Sequence, residues 1–171
     1  MSFSPREFRY ALGLFPTGVA VVTTRVGDGR RVGITVNSFT SVSLDPPLVS
    51  FNLARSLASL PVLLGAETFV VNLLTEAQST ISQGFSRTMS DKWAGARVSA
   101  GLTGNPLLEP RLAAFECARY AIHEAGDHLI VVGHVLHLDI DDREAPLVFF
   151  RGRYRSIGAP VGEQGQDRNT C

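Results

Sequence analysis

The chain has 171 residues, enough for one domain that buries about two-thirds of its unfolded surface and marginal for two. Sixteen Lys and Arg balance sixteen Asp and Glu, so the basic excess of a nucleic-acid binder is missing, and no apolar run approaches the ~18 residues of a membrane span. Only 19% of residues are charged against 44% hydrophobic, an apolar excess that points to a partner subunit and a ligand groove together.

Ser4-Pro5-Arg6-Glu7 predicts a helix start, with Ser4 as cap, Pro5 at the first helical position and Glu7 closing a capping box. Phe8, Ala11, Leu12 and Phe15 follow on one face, and Pro16 is the expected stop. Val19 to Val26 and Val32 to Phe39 flank a Gly27-Asp28-Gly29 turn and predict a hairpin. In its second strand Val32, Ile34 and Val36 alternate with Gly33, Thr35 and Asn37, giving one apolar face and one small, polar face. After the rigid Asp45-Pro46-Pro47 turn comes a strand from Leu48 to Leu53. Ser56 to Leu64 predicts a short helix, broken or restarted at Pro61 and ended by Gly65. Thr68 to Leu74 is strand, and Thr75-Glu76-Ala77-Gln78 is a second capping box opening a helix to about Gly84.

Ser86 to Pro110 reads as one long loop. Ala113 to Glu124 and His128 to Asp139 are long strands joined at Ala125-Gly126-Asp127, and Leu147 to Phe150 is the last strand. Residues 1–158 then form one domain, and the polar, Gly-rich tail 159–171 is expected to be disordered. Antiparallel strands with three short helices predict a mainly β fold, a Greek-key barrel with helical additions.

Several chemistries are missing. There is no G-x-G-x-x-G, no P-loop and no G-x-S-x-G elbow. Cys117 and Cys171 make neither a disulfide framework nor a metal knuckle. No signal peptide is evident at the N-terminus, so a cytoplasmic protein is expected. His123, His128, His134 and His137 crowd the long strand pair. Strict alternation sends His134 and His137 to opposite faces and leaves His128 and His134 about 20 Å apart, so no metal site is expected.

The stretch from Gly33-Ile34-Thr35-Val36-Asn37-Ser38 through Phe39-Thr40-Ser41-Val42-Ser43-Leu44 to Asp45-Pro46-Pro47-Leu48-Val49 resembles the signature of the short-chain flavin reductases. These are the reductase components of two-component flavin-dependent monooxygenases. The likeness continues through Phe69-Val70-Val71-Asn72-Leu73-Leu74, Phe85 and Asp91-Lys92-Trp93-Ala94-Gly95. It resumes at Gly126-Asp127-His128, Val132-Gly133-His134-Val135 and Phe150-Arg151-Gly152-Arg153-Tyr154. It implies a homodimeric flavin-binding split β-barrel that uses FAD or FMN with NADH, in preference to NADPH, and supplies reduced flavin to a monooxygenase partner. Trp93 stands where a phenylalanine is more usual.

Flavin chemistry then selects candidate residues. The ring edge needs strand backbone with small neighbours, offered by Gly33 to Ser38. Asn52-Leu53-Ala54 with Ser56 and Ser59 form a second wall, and Gly84-Phe85-Ser86-Arg87 a third, with Arg87 as a phosphate clamp. The resemblance assigns His128 to the nicotinamide side and the Phe150 to Tyr154 segment to the nicotinamide nucleotide, where Arg151 or Arg153 could pair with its phosphates. Plainer readings stand beside these: a half-polar strand for Gly33 to Ser38, a helix cap for Ser56, a solvated charge for Arg87, a core ring for Phe85, a turn histidine for His128 and an edge strand for Phe150 to Tyr154. Two other functions remain open, a flavin oxidase on a related barrel and a non-catalytic flavin or haem carrier.

Overall fold

Ser4 caps the first helix: its Oγ accepts the Glu7 N–H at 3.2 Å, and the Glu7 carboxylate accepts the Ser4 N–H at 2.8 Å. The computed structural model describes residues 2–87, 91–141, 143–159 and 161. It ends this helix (α1, Pro5–Leu12) a turn before Pro16, because the Gly13 N–H closes on the Arg9 carbonyl at 3.0 Å. No residue of α1 is buried, so the predicted face of Phe8, Ala11, Leu12 and Phe15 has no cover within one chain. Apart from Ala159 and Val161, the predicted tail lies outside the described residues, Cys171 included.

Thr17–Gly18 (β1) leads into Ala20–Arg25 (β2), which pairs antiparallel with Arg31–Val36 (β3) as the hairpin reading expects. The tight turn uses Gly29 at φ +82°, a conformation open to glycine. The second strand stops at Val36, short of the predicted Phe39, and Thr40–Leu44 (β4) is a separate strand to which the sequence reading assigned no element. Pro47–Ala54 (β5) pairs with it across the Asp45-Pro46 turn, with Pro47 at the first strand position. Residues 55–59 form turns, so α2 (Leu60–Gly65) begins four residues later than predicted and Pro61 lies in its first turn. Ser56 therefore caps no helix.

Thr68–Leu73 (β6) is followed by the predicted capping box, in which Gln78 Oε1 accepts the Thr75 N–H at 3.0 Å. It opens a 3-10 turn, Glu76–Gln78, that runs on into α3 (Ser79–Ser86). The expected long loop contains a further hairpin, Arg97–Ala100 (β7) with Pro106–Glu109 (β8). Ala113–Ala125 (β9) and His128–Ile140 (β10) form the long hairpin, turning at Gly126 with φ +61°. Val148–Phe150 (β11) and Arg153–Arg155 (β12) are the last strands, the second of them within the Phe150 to Tyr154 segment for which an edge strand was the plainer reading.

Seven strands make one antiparallel sheet in the order β3-β2-β6-β9-β10-β5-β4. Ile34 and Val36 of β3 share a core with Val49, Phe51 and Leu53 of β5, although four strands separate them in that order. The sheet is therefore curled, its two ends brought round a common interior. On β2, Ala20 and Val22 face this interior while Val19 and Val21 join a second cluster with Leu74, Phe85, Leu108 and Leu147. Burial on both faces explains the apolar run from Val19 to Val22.

Two buried polar side chains tie the hairpin of β7 and β8 to the sheet. Asn72 donates to Val21 O and Thr23 Oγ1, both at 3.0 Å, and accepts the Leu108 N–H at 2.9 Å. Glu116, 2% exposed, accepts from the Leu102 N–H at 2.9 Å and from the Thr103 N–H and hydroxyl at 2.7 and 2.6 Å. Burial pulls its carboxyl up, but the Thr103 and Leu102 hydrogen bonds outweigh that and hold it below the ordinary glutamate range.

A register shift between Val135 and His137 inserts one residue into β10. It breaks the alternation from which opposite faces for His134 and His137 were predicted, and sets His137 across from Glu116. Among the described residues no group of three or more His, Cys, Asp or Glu is placed to hold a metal ion.

Candidate functional site

A curled sheet that does not pair its own ends leaves a gap between them, and here the gap is a cleft. The outer edge of β3 has no strand partner, and along it runs a space of about 790 Å³. A small interior void behind it, between Phe51, Phe69 and Val131, holds only about 10 Å³.

One wall of the cleft is β3 with its extension, Ile34 to Ser38. Thr35 Oγ1 donates to Ser82 O at 2.6 Å, which fixes α3 alongside. Ser38 Oγ accepts the Asn52 N–H at 2.9 Å, joining this wall to the next. The second wall comes from β5 and β10. Asn52 pairs with Ile130 and Ala54 with His128, so these four residues form a cross-strand patch on the outer face of the sheet. Phe85 and Ser86 at the end of α3 supply the third wall.

The structure thus brings together eleven predicted residues: Ile34, Thr35, Val36, Asn37, Ser38, Asn52, Leu53, Ala54, Phe85, Ser86 and His128. It leaves others aside. Ser56, Ser59, Gly84 and Arg87 do not line the cleft, and Arg87 is exposed beyond the end of α3. Ser59 Oγ is buried with no hydrogen-bond partner. The segment Phe150 to Tyr154 forms the turn of β11 and β12, with Arg151 at φ +50° and Gly152 at +73°. Its Arg151 N–H donates to Gly13 O at 2.9 Å, next to Leu12 at the cleft mouth, whereas the Tyr154 hydroxyl is 2.8 Å from Ser82 Oγ behind α3.

Gly33 has a packing reason for being glycine beside the close backbone approach expected of it. A Cβ there would lie 2.5 Å from Cε1 of Phe85, so the missing side chain admits the Phe85 ring to the back of β3. That ring is itself held edge-on by Trp93, with centroids 4.9 Å apart. Gly33→Ala is therefore expected to destabilise the fold by about 1–3 kcal/mol, since the ring has nowhere cheap to move. Denaturant unfolding measures this, and a variant as stable as the parent would show that the contact yields freely.

Sequence reasoning missed Thr17, Leu12, Phe15 and Lys92, all of which line the cleft. Leu12 and Phe15 were visible as part of a helix face but not as cleft residues. Thr17 Oγ1 is buried without a partner, an unmet donor at the edge of the cleft. Lys92 lay in plain view within the quoted Asp91-Lys92-Trp93 block; its Nζ donates to Phe85 O at 3.0 Å. Among the described residues no Asp or Glu lines the cleft, and burial pushes the Lys92 ammonium below the usual lysine range. His128 Nδ1 lies 2.7 Å from Asp127 Oδ1, and that hydrogen bond to His128 holds the Asp127 carboxyl below its ordinary value.

The family described as "Flavin reductase like domain" matches residues 12–158. The chain belongs to this family. It is 39% identical over 158 residues to a flavin reductase of Pseudomonas putida, covering 92% of this chain and 93% of that one. It is 37% identical over 156 residues to the reductase subunit of a flavin-dependent monooxygenase of Rhodococcus jostii, covering 91% and 80%. The Streptomyces globisporus C-1027 NADH:FAD oxidoreductase, solved in complex with NAD and FAD fragments, superposes with a TM-score of 0.87 at 32% identity, covering 95% and 99%. Two longer relatives are spanned for only 58% and 43% of their length.

The flavin reductase-like cleft suits the ligand of its family. Its volume falls within the ~300–1,000 Å³ of cofactor sites. The open β3 edge offers backbone donors and acceptors, and Thr17 Oγ1 is a buried hydroxyl with no partner in the protein.

Proposed function

We propose that the protein is an NAD(P)H:flavin oxidoreductase that reduces FAD or FMN, with NADH as the preferred donor, and supplies reduced flavin to a partner monooxygenase. The observation that carries this reading is the unpaired β3 edge lying open along a ligand-sized cleft. When bound, the flavin supplies the acceptor position, N5, for a hydride from nicotinamide C4.

The chain's own part is to bind, orient and exclude water. The backbone from Ile34 to Ser38 meets the polar edge of the ring, with Ser38 already held by the Asn52 N–H. Aligned backbone N–H groups at that edge stabilise negative charge as it develops, in a site where water is scarce. His128, oriented by Asp127, stands on the outer face of β10 beside Ala54, where it positions the nicotinamide. The turn at Arg151 and Gly152, docked on Gly13, holds the nucleotide at the cleft mouth. Holding two rings at contact distance removes about 7 kcal/mol or more of the barrier without any acid or base.

The curled sheet supports a Greek-key split barrel, and the uncovered α1 face supports a homodimer. No helix among the described residues is long and apolar enough to cross a membrane. A cytoplasmic setting, where nicotinamide nucleotides are abundant, completes the reading. Anaerobic mixing with NADH and free flavin tests the whole of it: the expected result is rapid bleaching of the flavin absorbance. Bleaching no faster than without protein overturns the assignment.

A further inference from the structure

We infer that Arg55 is a positioning residue for hydride transfer: it clamps the tip of the β9–β10 hairpin and so sets the place of His128 beside the cleft. This rests on the reading above, in which His128 positions the nicotinamide.

His128 owes its place to a hairpin tip. It is the first residue of β10, paired with Ala125 on one side and with Ala54 on the other. The two residues before it, Gly126 and Asp127, lie outside both ladders, and Gly126 turns the chain at φ +61°. The end of a long hairpin is where a ladder opens most easily, since its last pairs are supported from one side only. Asp127 Oδ1 lies 2.7 Å from His128 Nδ1, so any sway of the tip carries the carboxylate and the imidazole together.

Arg55, the residue after β5, meets this tip three times. Its N–H donates to Asp127 O at 2.9 Å, its Nε donates to Gly126 O at 3.1 Å, and its Nη2 lies 3.2 Å from Glu124 Oε1. The main-chain bond extends the pairing of β5 with β10 by one residue. The two side-chain contacts straddle the turn from Glu124 to Gly126, which the planar guanidinium allows because it presents its donors at fixed angles. The pair with Glu124 is exposed and contributes little, so the bond to the Gly126 carbonyl is the one that holds the turn. Arg55 itself does not line the cleft, so its side chain reaches a bound ligand only through the tip.

An arginine that merely tidied the surface would make the same contacts, and kinetics separate the two roles. Anaerobic rapid mixing follows flavin bleaching at rising NADH and gives the second-order rate constant of reduction, while quenching of flavin fluorescence gives flavin affinity. The proteins are the wild type, Arg55→Met, Arg55→Lys, His128→Ala and the double variant of Arg55→Met with His128→Ala. R55M is expected to lower the rate constant about 3–10-fold, the worth of one partly exposed hydrogen bond, with flavin affinity changed less than about 2-fold. R55K, whose ammonium can still donate to the Gly126 carbonyl, is expected to recover part of that loss. Because Arg55 acts through His128, adding R55M to H128A is expected to cost less than about 2-fold more. Arg55 is exposed, so thermal melts of its variants are expected to match the wild type.

An R55M protein with the wild-type rate constant overturns the proposal. So does an equal fall in its flavin affinity, which makes Arg55 part of the flavin wall, or a full further loss in the H128A background, which places its action elsewhere. Wild-type kinetics in H128A bring down the role of His128 and the proposal with it. A wild type that reduces no flavin brings down the flavin reading itself, an outcome distinct from the others.

Discussion

Glu116→Ala is expected to lower the unfolding free energy by about 3 kcal/mol, because it removes a buried charged acceptor and leaves two backbone donors without a partner. The Leu102 and Thr103 N–H groups both end on this carboxylate. Gly101 adds a steric constraint, since a Cβ there would lie 2.5 Å from Glu116 Oε2. The loop is thus built round the carboxylate. A loss of that size corresponds to a fall in Tm of about 6–12 °C for a chain of this length.

The same group predicts a pH dependence. Its folded-state pKa lies below the unfolded value, so folding binds fewer protons and the stabilisation is fully present above the unfolded pKa. It is lost as pH falls from there through the lower folded pKa. The stability gap between wild type and Glu116→Ala should therefore be constant from about pH 7 to pH 5 and shrink below about pH 4. Denaturant melts of both proteins across that range provide the check. A gap below about 0.5 kcal/mol at neutral pH, the level of an ordinary surface change, would mean that solvent replaces the carboxylate without penalty.

The elements legible in the sequence are those with local chemistry of their own. The capping boxes at Ser4 and Thr75 mark helix starts because their partners lie three residues away. The hairpin of β9 and β10 is legible because the Ala125-Gly126-Asp127 turn separates two long proline-free runs, the second rich in Val and Ile. What escaped was short or supported from a distance. β4 is a five-residue strand of serine, threonine and exposed Val42 and Leu44, with little apolar pattern to reveal it. β7 and β8 are four residues each, and β8 is secured by Asn72, which lies 36 positions from Leu108 in the chain.

The site divides in the same way. The β3 wall could be read because it is one continuous segment whose residue types suit close backbone approach. The packing role of Gly33 was not legible, since its neighbour Phe85 is brought in only by tertiary packing. Lys92 and Thr17 become visible as cleft residues only when α3, β1 and β3 are assembled. A lysine's role depends on whether a carboxylate is near, and sequence spacing does not report that.

Ala54→Trp is expected to reduce both flavin affinity and NADH-dependent flavin reduction by about 100-fold or more, with little change in Tm. Ala54 and Asn52 project from β5 on the outer face, opposite the inward Leu53, which is 2% exposed in the core. Ala54 stands in register with His128, with Ile130 beside it across from Asn52. A large ring on Ala54 thus enters the cleft between the β3 edge and His128, the space assigned to the stacked rings, without entering the interior. Displacement of a reacting ring by about 1 Å already costs about 100-fold in rate, and an indole demands more than that. The stability cost is small because the added side chain meets open cleft volume. Fluorescence titration, anaerobic kinetics and a thermal melt on one preparation read all three quantities. Full activity in a folded Ala54→Trp protein would move the redox site away from the gap between the sheet ends, whereas loss of activity with an unchanged Tm ties the chemistry to that gap.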